Sequence, residues 1–139
     1  MRSTHLLLGV LFAVAAAAAS AAEEEEKVGA QMYRKYCGAC HGLEGKGDGI
    51  VSGFLRPQPT DLTQLASKHG GEFPFAYVMR AIDGRETVRS HGSSEMPVWG
   101  EILKEEAGEG LAADTAVRGK ILLITEHLRT IQVDSGGTE

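Results

Sequence analysis

The chain has 139 residues, 42% hydrophobic and 24% charged, enough for one folded domain and hardly for two. A formal charge of −5 sets aside nucleic acid and anionic membrane as partners, since both are held by clustered Lys and Arg. With 18 glycines and only 6% aromatic residues, the chain has many turns and few large side chains for a core, a shortage that a buried apolar cofactor relieves.

The first segment has the layout of a signal peptide. Arg2 opens a short positive region, Leu6 to Ala18 is an apolar run, and Ala19-Ser20-Ala21-Ala22 offers small residues for cleavage. A bilayer span needs about 20 apolar residues, more than this run provides. Residues 1–22 are therefore expected to be removed, with no membrane insertion afterwards. The loss of Arg2 takes the formal charge from −5 to −6. Export implies an oxidising compartment.

The next stretch, from Glu24 to about Cys40, reads as a helix. Its glutamates sit where a helix N-terminus favours negative charge, and Val28, Met32, Tyr36 and Cys40 form a slowly drifting apolar stripe. Five glycines between Gly42 and Gly53 demand a loop. Arg56-Pro57-Gln58-Pro59-Thr60 forces extended backbone. Asp61 to Lys68 predicts a short helix, and Phe73 to Ile82 a better one that Gly84 terminates.

An irregular stretch runs from Val88 to Met96, and Val98 to Glu105 predicts one or two helical turns. Asp114 is the expected N-cap of the last helix, in which Val117, Ile121, Ile124, Leu128 and Ile131 make an amphipathic face. Residues 135–139 read as a flexible tail, which leaves 23–134 as the domain. No strand alternation or internal repeat is present. The expected class is all-α, four to five short helices joined by long loops, and such loops need something to wrap around.

Tyr36-Cys37-Gly38-Ala39-Cys40-His41-Gly42 holds the only two cysteines. A redox Cys-x-x-Cys opens a helix, whose N-terminus lowers a thiol pKa, whereas this one closes a helix. A structural zinc site takes four ligands, and neither a further cysteine nor a His pair follows. Haem attachment needs only what is present. Residues i and i+3 project from one side of a helical turn, so Cys37 and Cys40 can each form a thioether to one porphyrin, with His41 behind them as iron ligand. Cys-x-x-Cys-His is the attachment pattern for c-type haem.

From Val28 to Ile131 the chain resembles the class I cytochromes c, small monohaem bacterial periplasmic proteins. Gly29 and Tyr33 stand where that family lets its first helix cross closely over its last, and Ile124 and His127 are similar to the matching pair. The Cys40 to Gly49 run and Pro57-Gln58-Pro59-Thr60-Asp61-Leu62 resemble many periplasmic members. The resemblance implies the cytochrome c fold around one covalently attached haem c. It also implies that the Pro59 carbonyl accepts the Nδ1–H of His41. The alternative is that Pro57 and Pro59 only shape the loop.

The second axial ligand must come from a distant loop. Met32 shares the attachment helix, Met79 sits in an apolar stripe, His127 is committed to helix packing, and His69 is an exposed residue at a helix end. Met96 stands in an irregular stretch stiffened by Pro97, and Met96-Pro97-Val98-Trp99-Gly100 is similar to the family's distal ligand loop. Met96 is thus the expected ligand and His91 its competitor. Trp99, Arg85 and Arg89 are candidates to hydrogen-bond a haem propionate, each with a plain structural role as the alternative.

A His/Met iron leaves no open coordination position, so the expectation is a monomeric periplasmic electron carrier and not an enzyme. Its partners would be redox proteins, a donor dehydrogenase or reductase and an acceptor oxidase or reductase. The alternatives are a haem subunit of a stable oxidoreductase complex, or a binder or sensor of gaseous ligands with a displaceable Met96.

Overall fold

Helix α1 covers residues 23–36 in the computed structural model of the chain, which describes residues 23–84 and 96–133. The expected signal peptide and tail lie outside the described residues, as do Arg85, Arg89 and His91. A turn at Cys37 separates α1 from the short α2, Gly38–His41. Gly42 ends α2 with φ of 81°, a conformation that favours glycine.

The following loop folds back on α2 through its glycines. The Gly47 amide donates to the His41 carbonyl (2.8 Å), Gly49 to Cys40 (3.2 Å) and Val51 to Ala39 (3.1 Å). A Cβ on Gly49 would overlap the Ala39 carbonyl, so only glycine permits this approach. A 3₁₀ turn, Ser52–Phe54, and the proline stretch lead to a second 3₁₀ turn, Leu62–Gln64, which runs into α3, Leu65–Lys68. Asp61 caps this entry by accepting from the Thr63 amide at 2.9 Å.

Helix α4 is Phe75–Asp83, two residues later in starting than expected because Pro74 occupies its cap position and biases Phe73 away from helix. Gly84 terminates it in the left-handed conformation. Helix α5 is Trp99–Ala107 and α6 is Leu111–Thr130. The expected N-cap of the last helix is corrected by one turn: Gly110 takes that place and Asp114 lies inside α6. There its carboxylate meets Lys104 of α5 at 3.1 Å, and the Ala113 side chain beside it is buried. Among the described residues the elements are helical throughout, an all-α fold.

Helices α4, α5 and α6 pack on one another, and α1 lies across α6. A Cβ on Gly29 would overlap the Leu123 carbonyl oxygen, so the two backbones touch there. Tyr33, one turn on, is fully buried, sets its ring 5.2 Å from that of His127, and donates from its hydroxyl to the Gly42 carbonyl at 2.8 Å. Burial raises its phenol pKa well above the ordinary value, so it remains a donor. At the other end of α6, Gln132 donates to the Leu62 carbonyl (2.9 Å) and accepts from the Ala66 amide (2.9 Å), fastening the loop before α3.

Two outcomes are expected. Gly29→Ala forces α1 off α6 and lowers stability by about 2 kcal/mol, the usual scale of an overpacked contact, measured by urea unfolding of the haem-loaded protein. His127 Nδ1 is buried and has no hydrogen-bond partner among the described residues. Burial, and secondarily Arg34, hold its pKa below the ordinary 6.5, so the folded state binds this proton less readily than the unfolded chain. Stability is then fully present above about pH 6.5 and falls as pH drops below it, and His127→Phe flattens that part of the stability–pH curve.

Candidate functional site

Cys37 and Cys40 lie one turn apart, where the His41 amide donates to the Cys37 carbonyl at 2.9 Å. Cys37 is buried, Cys40 partly so, and the two sulfurs are not bonded to each other. Burial first, and the neighbouring Cys40 second, push the Cys37 thiol up to about 12. A redox dithiol needs a thiolate near neutral pH, and this environment opposes one. Among the described residues no three His, Cys, Asp or Glu side chains converge as a metal cage would require. The disulfide-switch and zinc readings therefore find no support in the geometry.

The His41 ring is buried and oriented. Its Nδ1 stands 3.0 Å from the Thr60 carbonyl, which can only accept, so Nδ1 carries the proton and coordination falls to Nε2. This corrects the expected partner by one residue. The Pro59 carbonyl is instead turned onto Gly47, at φ of 77°, where a Cβ would overlap it. Pro59 still lines the first lobe of the cavity beside His41.

Two adjoining lobes of one cavity open beside these groups, with Cys37, His41 and Met96 on the walls of both. The first is completed by Tyr36, Cys40, Leu55, Pro57, Pro59, Pro97 and Trp99, and encloses about 560 Å³ of empty space, its open mouth included. The second encloses about 910 Å³ on the same measure, between the Thr60–His69 segment and the face of α4 that carries Tyr77, Val78, Ala81 and Ile82. Their size and mostly apolar lining suit a large flat ligand. The two thiols on the wall and the oriented imidazole are the groups that covalent haem requires, so the residues present fit it; Met96 lines both lobes as well.

Met96 reaches this cavity because the start of α5 is pressed against the end of α4. A Cβ on Gly84 would overlap Val98, and one on Gly100 would overlap Asp83. Trp99 lines the first lobe and meets the Tyr36 ring edge-on, centroids 5.6 Å apart. The Tyr36 hydroxyl accepts from Lys35 (2.8 Å) and donates to Glu106 (2.7 Å), which Lys120 approaches at 3.6 Å. This rim ties α1 to α5 and α6. Met32 and Met79 pack against the core instead.

Several lining residues escaped the sequence. Val78 and Ile82 share the expected apolar stripe, but periodicity cannot tell a face that meets side chains from one that meets a ligand. Thr60 contributes through its backbone, which leaves no residue-type signal. His69 is exposed at a helix end, as expected, yet also lines the second lobe.

A family model described as Cytochrome c matches residues 27–113, more than half of the chain, from α1 into the first turn of α6. Searches of curated proteins and of solved structures return no match.

If Cys37 and Cys40 carry the haem, replacing both with alanine abolishes covalent attachment. A haem stain after denaturing electrophoresis is expected to be strong for the wild type and absent for the double variant.

Proposed function

The chain belongs to the cytochrome c family, and from that membership we propose that it is a periplasmic carrier of single electrons whose iron is held by His41 and Met96. The family supports a haem-based electron carrier in general, with covalent haem c at Cys37, Cys40 and His41. The observation that carries the finer reading is that His41 and Met96 both line the two lobes of one cavity beside the attachment cysteines.

When bound, the haem supplies an iron that gains or loses one electron. The protein groups determine how. The Thr60 carbonyl holds the His41 ring in one orientation and raises the basicity of Nε2. The Met96 thioether, as a ligand, favours the reduced iron and raises the potential. If His41 and Met96 both held the iron, they would leave no position there for substrate, which supports transfer over turnover as the role. Apolar side chains from α4 and the proline stretch line the site.

The leader-like N-terminus supports export to the periplasm, and a net acidic chain acting as a monomer would suit brief docking to redox partners through a small interface. Those partners are a donor dehydrogenase or reductase and an acceptor oxidase or reductase. One observation favours a second reading, a haem subunit of a stable complex. Ile50 and Phe54 are 87% and 88% exposed beside the attachment loop, where a permanent partner would cover them.

Optical spectra of the haem-loaded protein, oxidised and reduced, test the ligation. The wild type is expected to be low-spin with a weak near-infrared sulfur–iron band, and Met96→Ala to lose that band. A high-spin wild type that binds carbon monoxide when reduced would instead identify a gas-binding site.

A further inference from the structure

Met96 and Pro97 stand ahead of α5 outside any helix, and Pro97 has no amide to donate. Their link to regular structure is the next residue, Val98, whose carbonyl accepts from the amides of Glu101 (3.1 Å) and Ile102 (3.3 Å) in the first turn of α5. Met96 therefore goes where α5 goes. Leu103, fully buried, and Gly100, pressed on Asp83, hold α5 against the core and α4. The side chain that ties it to the attachment turn is Tyr36, directly before Cys37.

Tyr36 meets α5 at two points. Its ring sits edge-on to Trp99, centroids 5.6 Å apart, and its hydroxyl donates to Glu106 Oε2 at 2.7 Å. Trp99 and Glu106 are seven residues apart, two turns along one face of the helix. A side chain bound at both ends of that face opposes sliding of α5 as well as rotation. We propose that Tyr36, acting against Trp99 and Glu106, is the positioning residue that keeps Met96 on the cavity wall. The proposal rests on the reading of Met96 as an iron ligand and gives that ligand its fixed support.

The neighbours determine the direction of the hydrogen bond. Lys35 Nζ stands 2.8 Å from the Tyr36 hydroxyl and can only donate, so the one hydroxyl proton goes to Glu106. Lys35 (3.9 Å) and Lys120 (3.6 Å) gather round the same carboxylate. The Tyr36 hydrogen bond first, and these two cations after it, hold the Glu106 carboxyl below its ordinary range, so it is an acceptor at neutral pH. Exposed ion pairs contribute little by themselves. The bridge from α1 to α5 is the hydroxyl.

Imidazole competes with Met96 for the iron, and the test is its affinity for the haem-loaded, oxidised protein at neutral pH, read from loss of the sulfur–iron band. Tyr36→Phe keeps the ring on Trp99 and removes the hydroxyl. It is expected to raise imidazole affinity about threefold to tenfold, the scale of one hydrogen bond. Glu106→Ala should do the same, and the double variant no more than either. Glu106→Gln, which retains an acceptor oxygen, should have the smaller effect. In a Met96→Ala background, with binding read from the Soret shift, no thioether remains to be displaced and Tyr36→Phe should leave the affinity unchanged. Unchanged affinity in Tyr36→Phe and Glu106→Ala overturns the proposal. So does the same increase with Met96 already gone, which would show a general loosening of the cavity. A wild type without the sulfur–iron band shows instead that Met96 is not a ligand, and the proposal falls with that reading.

Discussion

The backbone contact between α1 and α6 at Gly29 is the constraint on which the other positions depend. With no Cβ at that residue, α1 approaches the Leu123 carbonyl closely enough for Tyr33 to be buried one turn later. Tyr33 then reaches Gly42 through its hydroxyl, immediately beyond the attachment histidine. The end of α1 is thus aimed into the space framed by α4, α5 and α6. A bulkier residue at 29 would move the cysteines and His41 together, because they lie on the continuation of the same helix.

The space they enter is a consequence of composition. Few aromatic side chains are available, and the buried aliphatic residues of α6, Val117, Ile121, Ile124 and Leu128, are largely occupied in joining helices. Among the described residues, none fills the space between the proline stretch, α3 and α4. A ligand that buries there supplies the apolar contact that the side chains lack, and a covalent one cannot leave when the surrounding loops open. The glycine-rich loop does the complementary work. It folds back on α2 through three backbone hydrogen bonds and lets the Pro59 carbonyl approach Gly47. The next carbonyl, that of Thr60, is then the one presented to His41.

Charge is distributed with the same economy. Among the described residues, the acidic groups in the first turn of α1 and Glu106 on α5 are exposed, and none lines either lobe. Within the site, three polar groups have an assigned direction: Nδ1 of His41 towards Thr60, Nδ1 of His69 towards Leu65, and the Tyr36 hydroxyl towards Glu106. In a poorly hydrated interior this matters, because a polar group without a partner there costs free energy that a fixed partner offsets.

The attachment site was legible in the sequence because its chemistry is local. Two thiols and an imidazole within five residues need only a helical turn to act together, and the expectation for Met96 rests on the same kind of short-range pattern in Met96-Pro97. Gly29, Tyr33 and His127 were legible through family resemblance, and Gly84 through the rule that a left-handed helix end wants glycine. The start of α6 was misplaced by one turn because Asp114 caps well in isolation, yet its carboxylate is drawn to Lys104 on another helix. Which carbonyl holds His41, and which helix face borders the cavity, were decided by tertiary structure alone. A carbonyl is the same in every residue, and an apolar stripe is the same whether protein or ligand covers it, so only the approach of segments distant in sequence can tell them apart.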